Sequence, residues 1–276
     1  MVSDHVEDRA EGKGQWTGRA RGVTLGGSRT PGPGLTRCVM LHLMGVYAAR
    51  GNSSRTYLHR FLVRAGHTVE TGQLVLDAGA GRAPYRGLFA HARYETADFL
   101  AVKGKKYVQP DYVCDLAEIP VEDARFDHVL LTQVLEHIPE PARVLAELHR
   151  VLKPGGTLWL TAPFFYAEHE KPYDFFRYTQ FGLRHLLESA GFEVIELEWM
   201  EGYLGTLSYQ ARLMSKSLPA SPEAYGGGVR GMALASAAKV FRRGGRHAAD
   251  ALATLDLKYK LVGKGLPKNY QAVAKR

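Results

Sequence analysis

The sequence predicts an α/β protein: a mostly parallel sheet of seven strands, helices on both faces, and a helical insert before the last strand. Three observations predict it. Apolar runs of strand length alternate with helical patterns five times over the middle of the chain. The first run, Leu74-Val75-Leu76, passes into Asp77 and a Gly79-Ala80-Gly81 turn, as the opening strand of a Rossmann-like nucleotide fold does. The second run ends on Asp98, 21 residues past Asp77, close to the ~20-residue interval at which such folds place a ribose-binding carboxylate.

Each element has a local reason. Ser53 or Ser54 can cap a helix that carries Tyr57, Leu58, Phe61 and Leu62 on one face and ends near Gly66. The opening strand covers 73–77, and a short helix follows over about 84–91. Strand two is Tyr94 to Asp98. Strand three is Tyr112-Val113-Cys114, running into Asp115-Leu116. Strand four is Phe126 to Thr132. Pro141 suits the first turn of a helix over 141–151. Lys153-Pro154-Gly155-Gly156 is a turn before strand five, Thr157 to Thr161. Helix 179–190 ends at Gly191, a residue free to take positive φ. Phe192 to Trp199 alternates as strand six, and Tyr270 to Ala274 is the last strand.

Four regions follow: a poorly ordered segment over 1–50, a core over 51–200, a basic helical insert over 201–268, and the last strand over 269–276. Residues 1–36 are rich in Gly, Arg, Ser, Thr and Pro without an apolar period, and Met40 or Met44 would be an equally sensible start. Two cysteines, Cys38 and Cys114, make neither a disulfide framework nor a metal site. No uncharged apolar run reaches the ~18–20 residues that span a bilayer. A cytoplasmic protein is the simplest expectation. The net charge of +8 is uneven. Residues 38–211 hold 17 basic and 21 acidic side chains, whereas 212–276 hold 13 and 3. The asymmetry points to an anionic partner for the tail alone.

The glycine turn suits a ligand that needs close backbone approach. A dinucleotide fingerprint would place a third glycine where this chain has Pro84, so a nucleoside ligand without a pyrophosphate is favoured over NAD.

Six segments in order carry a family resemblance. They are Val75-Leu76-Asp77-Ala78-Gly79-Ala80-Gly81, Asp98, Cys114-Asp115-Leu116, Phe126-Asp127-His128-Val129, Val134-Leu135-Glu136-His137-Ile138, and Val151-Leu152-Lys153-Pro154-Gly155-Gly156-Thr157-Leu158. Together they resemble the class I S-adenosylmethionine-dependent methyltransferases of the ubiquinone/menaquinone-methyltransferase-like type, over about residues 73–198 and the last strand. The resemblance implies S-adenosyl-L-methionine as cofactor. It implies that Gly79 and Gly81 admit its backbone contacts and that Asp77 holds its ammonium. Asp98 would accept the ribose hydroxyls, Asp115 the adenine amino group with Leu116 on the ring, and Gln133 would lie beside the sulfonium. The loop Gly81-Arg82-Ala83-Pro84-Tyr85 departs from the family, which often has a further small residue there.

Methyl transfer to a hydroxyl needs positioning and a base. His137, one turn past strand four, and His169, in the loop after strand five, are the candidate catalytic bases. Packing or helix capping is the competing role for His137. In the same loop Phe165, Tyr166, Arg177 and Tyr178 are candidate substrate contacts, Arg177 for an acidic group. Alternatively, Asp174 and Arg177 pair with each other and Thr179 caps the next helix. Glu136 reads as a loop-fixing residue. No metal is expected: His169, Glu170 and Asp174 match no strong ligand spacing. The acceptor is expected to be a small molecule, sugar or lipid-linked compound methylated at oxygen, with nitrogen or carbon as alternatives. A non-catalytic scaffold is the alternative of another class.

In the insert, Leu234, Ala237, Ala238, Phe241, Ala248, Leu252 and Leu255 share one helical face. Lys239, Arg242, Arg243 and Arg246 oppose them, and Gly244-Gly245 is expected to kink the helix. Such a helix covers its own domain or, with 229–260 as the docking segment, lies on an anionic membrane surface, which would make the protein peripheral at the inner membrane. It carries no strong nucleic-acid signal.

Overall fold

The computed structural model describes residues 53–100 and 107–276. The segment read as poorly ordered, 1–50, lies outside them. The elements are α1 (Ser53–Thr68), β1 (Leu74–Ala78), β2 (Arg93–Asp98), β3 (Tyr112–Val113), β4 (Phe126–Thr132), α2 (Pro141–Val151), β5 (Leu152–Pro163), α3 (Gln180–Ser189), β6 (Glu193–Trp199), α4 (Tyr203–Ser217), α5 (Gly228–Tyr259) and β7 (Asn269–Lys275). Short 3-10 turns fall at Arg86–Phe89, where a helix over 84–91 was expected, and at Leu135–His137.

The seven strands form one sheet in the order β3-β2-β1-β4-β5-β7-β6. Pairs up to β4–β5 are parallel, and β7 runs antiparallel to both β5 and β6. The chain leaves β1 toward β2 and β3, then returns to the other side of β1 with β4. The order therefore reverses between β1 and β4, and the strand carboxyl ends there are where open α/β sheets bind ligands.

Both faces of the sheet are covered. On one, Leu74, Leu76, Val129, Leu131, Leu158 and Leu160 meet α2 and α3 through Leu145, Leu148, Leu183 and Leu187. On the other, Val75, Leu130 and Trp159 meet Tyr57, Leu58, Phe61 and Leu62 of α1. That α1 face is the one its spacing predicts. Ser54 does not cap the helix. Its hydroxyl donates to Glu201 Oε1 at 2.6 Å. Pro141 opens α2 as expected. Thr179 caps α3, its hydroxyl accepting from Gly182 N at 3.0 Å, and Gly191 takes φ +92° after the last turn.

The insert departs from expectation in two ways. First, α5 runs through Gly244-Gly245 without a break, because Gly245 lies against Ala211 and Ser215 of α4 and is held by that packing. Second, α5 buries a stripe of small residues, Gly231, Ala235, Ala238, Gly245, Ala249 and Ala253. Small side chains let the two helix backbones approach. Of the face read from sequence, Ala238 is buried, but Leu234, Ala237, Phe241, Ala248 and Leu255 are exposed. Among the described residues no helix is long and apolar enough to cross a membrane.

Candidate active site

Two cavities open at the carboxyl ends of β1, β2 and β4. One, of about 290 Å³, is lined by Asp98, Tyr107, Asp115 and Leu116. The other, of about 350 Å³, is lined by Asp77, Gly81, Tyr166 and His169. They meet at Gly79, Gln133, His137 and Glu170, which line both. A larger depression, about 620 Å³ beside Cys114, Glu118 and Glu122, is wide open and contains no glycine turn.

The glycine turn is fixed from two sides. Gly79 and Ala80 donate to the Ala97 carbonyl of β2. Gly81 N donates to Asp98 Oδ2 at 2.8 Å, and Leu100 N donates to Asp98 Oδ1 at 2.9 Å. Each Asp98 oxygen keeps a lone pair for a ligand. Gly79 sits at φ +76°, and a Cβ there would meet Val134 Cγ2 at 2.5 Å. Asp77 is buried and accepts from Tyr94 Oη at 2.5 Å. Burial pushes its carboxyl up to about 6, the Tyr94 bond opposing the shift. Asp115 Oδ1 accepts from Ala117 N at 2.9 Å. Gln133 takes φ +56°, a region that costs a residue with a Cβ. Its N–H and its amide donate to the backbone and side-chain oxygens of Thr161. Such a held outlier is typical of a functional turn.

The structure thus brings together Asp77, Gly79, Gly81, Asp98, Asp115, Leu116 and Gln133, all lining the joined cavities. His137 lines both and His169 the larger. His137 Nδ1 donates to the Tyr173 carbonyl at 2.5 Å, and burial lowers its pKa. Its ring centre is 4.7 Å from that of His169. Glu136 is wholly buried beside them. Its backbone carbonyl accepts from Phe175 and Phe176, fixing the loop as expected. Among the described residues its carboxylate has no hydrogen-bond partner, and burial pushes it up to about 8.

Of the expected substrate contacts, Tyr166 lines the larger cavity, while three others line neither. Arg177 is engaged within the protein: its guanidinium forks onto Asp174 at 2.7 and 2.8 Å and donates to the Tyr166 and Ala167 carbonyls. The three-residue spacing that allowed an Asp174–Arg177 pair produces one, and it holds the Asp174 carboxyl well below the usual range. Tyr178 is in the core, donating to the Leu135 carbonyl at 2.9 Å. Phe165 is half-exposed outside the cavity wall.

Sequence reasoning missed a second wall of the larger cavity, Ser54, Arg55, Lys268 and Asn269. Lys268 Nζ donates to Ser54 Oγ at 2.8 Å. Asn269 Nδ2 donates to Glu201 Oε1 at 2.7 Å. Lys268 is buried near the Tyr166 and Tyr209 rings, its Nζ 4.9 and 4.7 Å from their centres. Burial lowers its pKa, with Glu201 opposing. No local pattern announces this wall, because it joins residues about 200 positions apart.

Comparison with known proteins agrees with the cleft. Residues 76–160 match the family model described as "Methyltransferase domain". A protein of Mycolicibacterium smegmatis described as a probable S-adenosylmethionine-dependent methyltransferase is 34% identical over 137 residues, 45% of this chain and 53% of the relative. A ubiquinone biosynthesis O-methyltransferase of Pseudomonas aeruginosa is 41% identical over 102 residues, 33% and 44% of the two chains. Among solved structures, the Burkholderia thailandensis 1,6-didemethyltoxoflavin-N1-methyltransferase with bound S-adenosylhomocysteine is 21% identical, at a TM-score of 0.43 over 63% of this chain and 86% of that one. The chain spans about half the length of the curated relatives it matches. Residues 76–160 thus form a methyltransferase domain, similar to those of the class I S-adenosylmethionine-dependent type. S-adenosylmethionine is the cofactor of that class, and the cleft fits it. Gly79 and Gly81, both at positive φ, form a floor without side chains, and the carboxylates of Asp77, Asp98 and Asp115 line the joined cavities together with Leu116.

Proposed function

We propose that the protein methylates an oxygen of a small-molecule, sugar or lipid-linked acceptor. The observation that carries this reading is the meeting of the two cavities at Gly79, Gln133, His137 and Glu170. Asp98, Asp115 and Leu116 hold the nucleoside in the smaller cavity, and Asp77 holds the ammonium. Bound S-adenosylmethionine supplies the methyl carbon, and its sulfur takes back the electron pair of the broken C–S bond. The larger cavity receives the acceptor, whose hydroxyl faces His169 and His137. Each is a buried or half-buried imidazole that accepts the proton as the oxygen attacks. The aromatic wall of Tyr166 and Tyr209 excludes water. The resemblance to a quinone O-methyltransferase supports an aromatic or lipid-soluble acceptor.

Titration calorimetry with S-adenosylmethionine is expected to show one site per chain. Asp98→Ala removes a charged hydrogen-bond acceptor worth about 1.5–3 kcal/mol, and so weakens binding roughly 10- to 150-fold. Absence of binding to the intact protein would sink the reading. Labelled methyl uptake into sugar, quinone and lipid extracts then identifies the acceptor.

A second reading concerns membranes. Among the described residues nothing buries the apolar side chains of Leu234, Val240, Phe241 and Leu255 of α5. Lys239, Arg243 and Arg246 are exposed on the same helix. An anionic bilayer surface suits both features. The full chain is expected to co-sediment with vesicles containing phosphatidylglycerol more than with neutral ones, and Phe241→Glu to reduce that recovery. Equal recovery with both lipids excludes it.

A further inference from the structure

Glu136, wholly buried behind His137, is the least explained side chain beside the cleft. Both carboxylate oxygens are sealed from solvent and, among the described residues, lack a hydrogen-bond partner. Buried carboxylates are rarely left so, because desolvation without compensation is costly. What surrounds it is a pair of imidazoles. One ligand-capable atom from each of Glu136, His137 and His169 lies within 4.8 Å of the others. His137 Nε2 is 3.9 Å from Glu136 Oε1, too far for a hydrogen bond.

We propose that Glu136, His137 and His169 bind a divalent first-row transition-metal ion at the acceptor end of the cleft. One carboxylate and two imidazoles are a donor set suited to zinc or iron, and poorly suited to magnesium or calcium, which prefer oxygen ligands. The surroundings of the imidazoles agree. His137 Nδ1 donates to the Tyr173 carbonyl, leaving Nε2 to ligate. Asp174 Oδ2 lies 3.4 Å from His169 Nδ1, where a carboxylate orients a ligating ring. Arg177 and the His169 N–H in turn pin Asp174. Ligands at ~2.0–2.2 Å from one ion stand closer together than the separation found here. Closing the set takes a side-chain movement on the order of 1 Å, which His169, on a half-exposed loop, can supply. Glu136 and His137 belong to one short turn, and His169 comes from the loop after β5, so the ion would tie that loop to the end of β4.

Three protein ligands leave coordination positions open. These open toward the larger cavity, where the acceptor oxygen is expected. With the ion bound, both imidazoles are ligands and neither is the base; an acceptor hydroxyl ligated there would instead be acidified by the ion and give its proton to water before it attacks the methyl carbon. This use of the ion rests on the methyltransferase reading, whereas the ion's binding does not.

The test is metal uptake by the full chain, stripped with chelator and titrated with zinc chloride in a calorimeter. One zinc per chain is expected, with magnesium chloride giving no comparable heat. Cobalt chloride is expected to give a visible absorption spectrum indicating nitrogen ligation. His169→Ala and Glu136→Gln are each expected to weaken zinc binding at least tenfold, while His185→Ala on the exposed side of α3 leaves it unchanged. Because Glu136 is wholly buried, His169→Ala, in a loop, carries the test with its melting curve recorded alongside. No stoichiometric uptake, or equal affinity in His169→Ala, His137→Ala and the unaltered protein, overturns the site. Zinc uptake without any methyl transfer overturns the reaction and leaves the site standing. Methyl transfer with no uptake does the reverse.

Discussion

At the scale of single residues, Asp77 makes the sharpest prediction. Its carboxyl is buried, and its pKa is raised to about 6 from 3.8. Between those values the folded protein holds a proton that the unfolded chain has released. This group's contribution to stability therefore falls as pH rises through that window. Cofactor binding runs the other way. A cationic ammonium beside Asp77 competes with the proton, so affinity for S-adenosylmethionine is expected to be level above about pH 7. It weakens by up to tenfold per unit as pH falls below about 6. Calorimetry from pH 5 to 8 measures the slope. Asp77→Asn is expected to bind more weakly at pH 8 and to lose the slope; a slope that survives in that variant assigns it to another group. The place of Asp77 in the cavity wall was legible in the sequence, because an acid between an apolar strand and a Gly-x-Gly turn falls at the strand's carboxyl end. Its state was not, since that depends on Tyr94, which reaches it from the neighbouring strand.

At the scale of elements, periodicity located the strands to within a residue or two, apart from β5, which also takes in the expected turn at 153–156. It located α1, α2 and α3 as well. It failed on α5. Leu234, Phe241 and Leu255 look like a core face because hydrophobicity scales weight large side chains. The real contact uses Gly and Ala, whose value is the absence of bulk. The two faces can be told apart by substitution. Gly245→Leu forces a side chain against Ala211 and Ser215, whose atoms already stand 3.3 Å from a Cβ at that position. Overpacking of this kind costs about 1–3 kcal/mol. Phe241→Glu, on the exposed stripe, is expected to change stability by no more than about 0.5 kcal/mol. Urea melts of the two variants decide it. A larger loss in Phe241→Glu than in Gly245→Leu would mean that α5 packs through its large residues after all. The loop after β5 shows the same limit in the site. Its wealth of aromatics and charges marked it as functional, yet Arg177 and Tyr178 serve its own folding, while Tyr166, His169 and Glu170 line the larger cavity.

At the scale of the whole molecule, the sheet order explains both the missed cavity wall and the dependence of the fold on its last strand. β7 inserts between β5 and β6, with seven residue pairs to β5 and six to β6. Tyr270, Ala272 and Ala274 complete the core that α2 and α3 cover. Lys268, just before the strand, and Asn269, its first residue, close the larger cavity against Ser54 and Glu201. A strand with neighbours on both sides cannot be lost as an edge strand can. Removing it leaves two rows of backbone donors and acceptors unpaired over an opened core. A chain ending at residue 267 is therefore expected to show no cooperative unfolding by circular dichroism and no calorimetric binding of S-adenosylmethionine, although every residue of the glycine turn is present. β3 provides the contrast: it is two residues long and, among the described residues, at the sheet edge and paired only with β2. Val113→Gly there is expected to cost roughly 1 kcal/mol or less, with cofactor affinity changed less than twofold. If the shortened chain instead melted cooperatively near the full-length midpoint, β5 and β6 would have to satisfy each other directly, and the donor cleft would be independent of the wall that β7 brings to the acceptor.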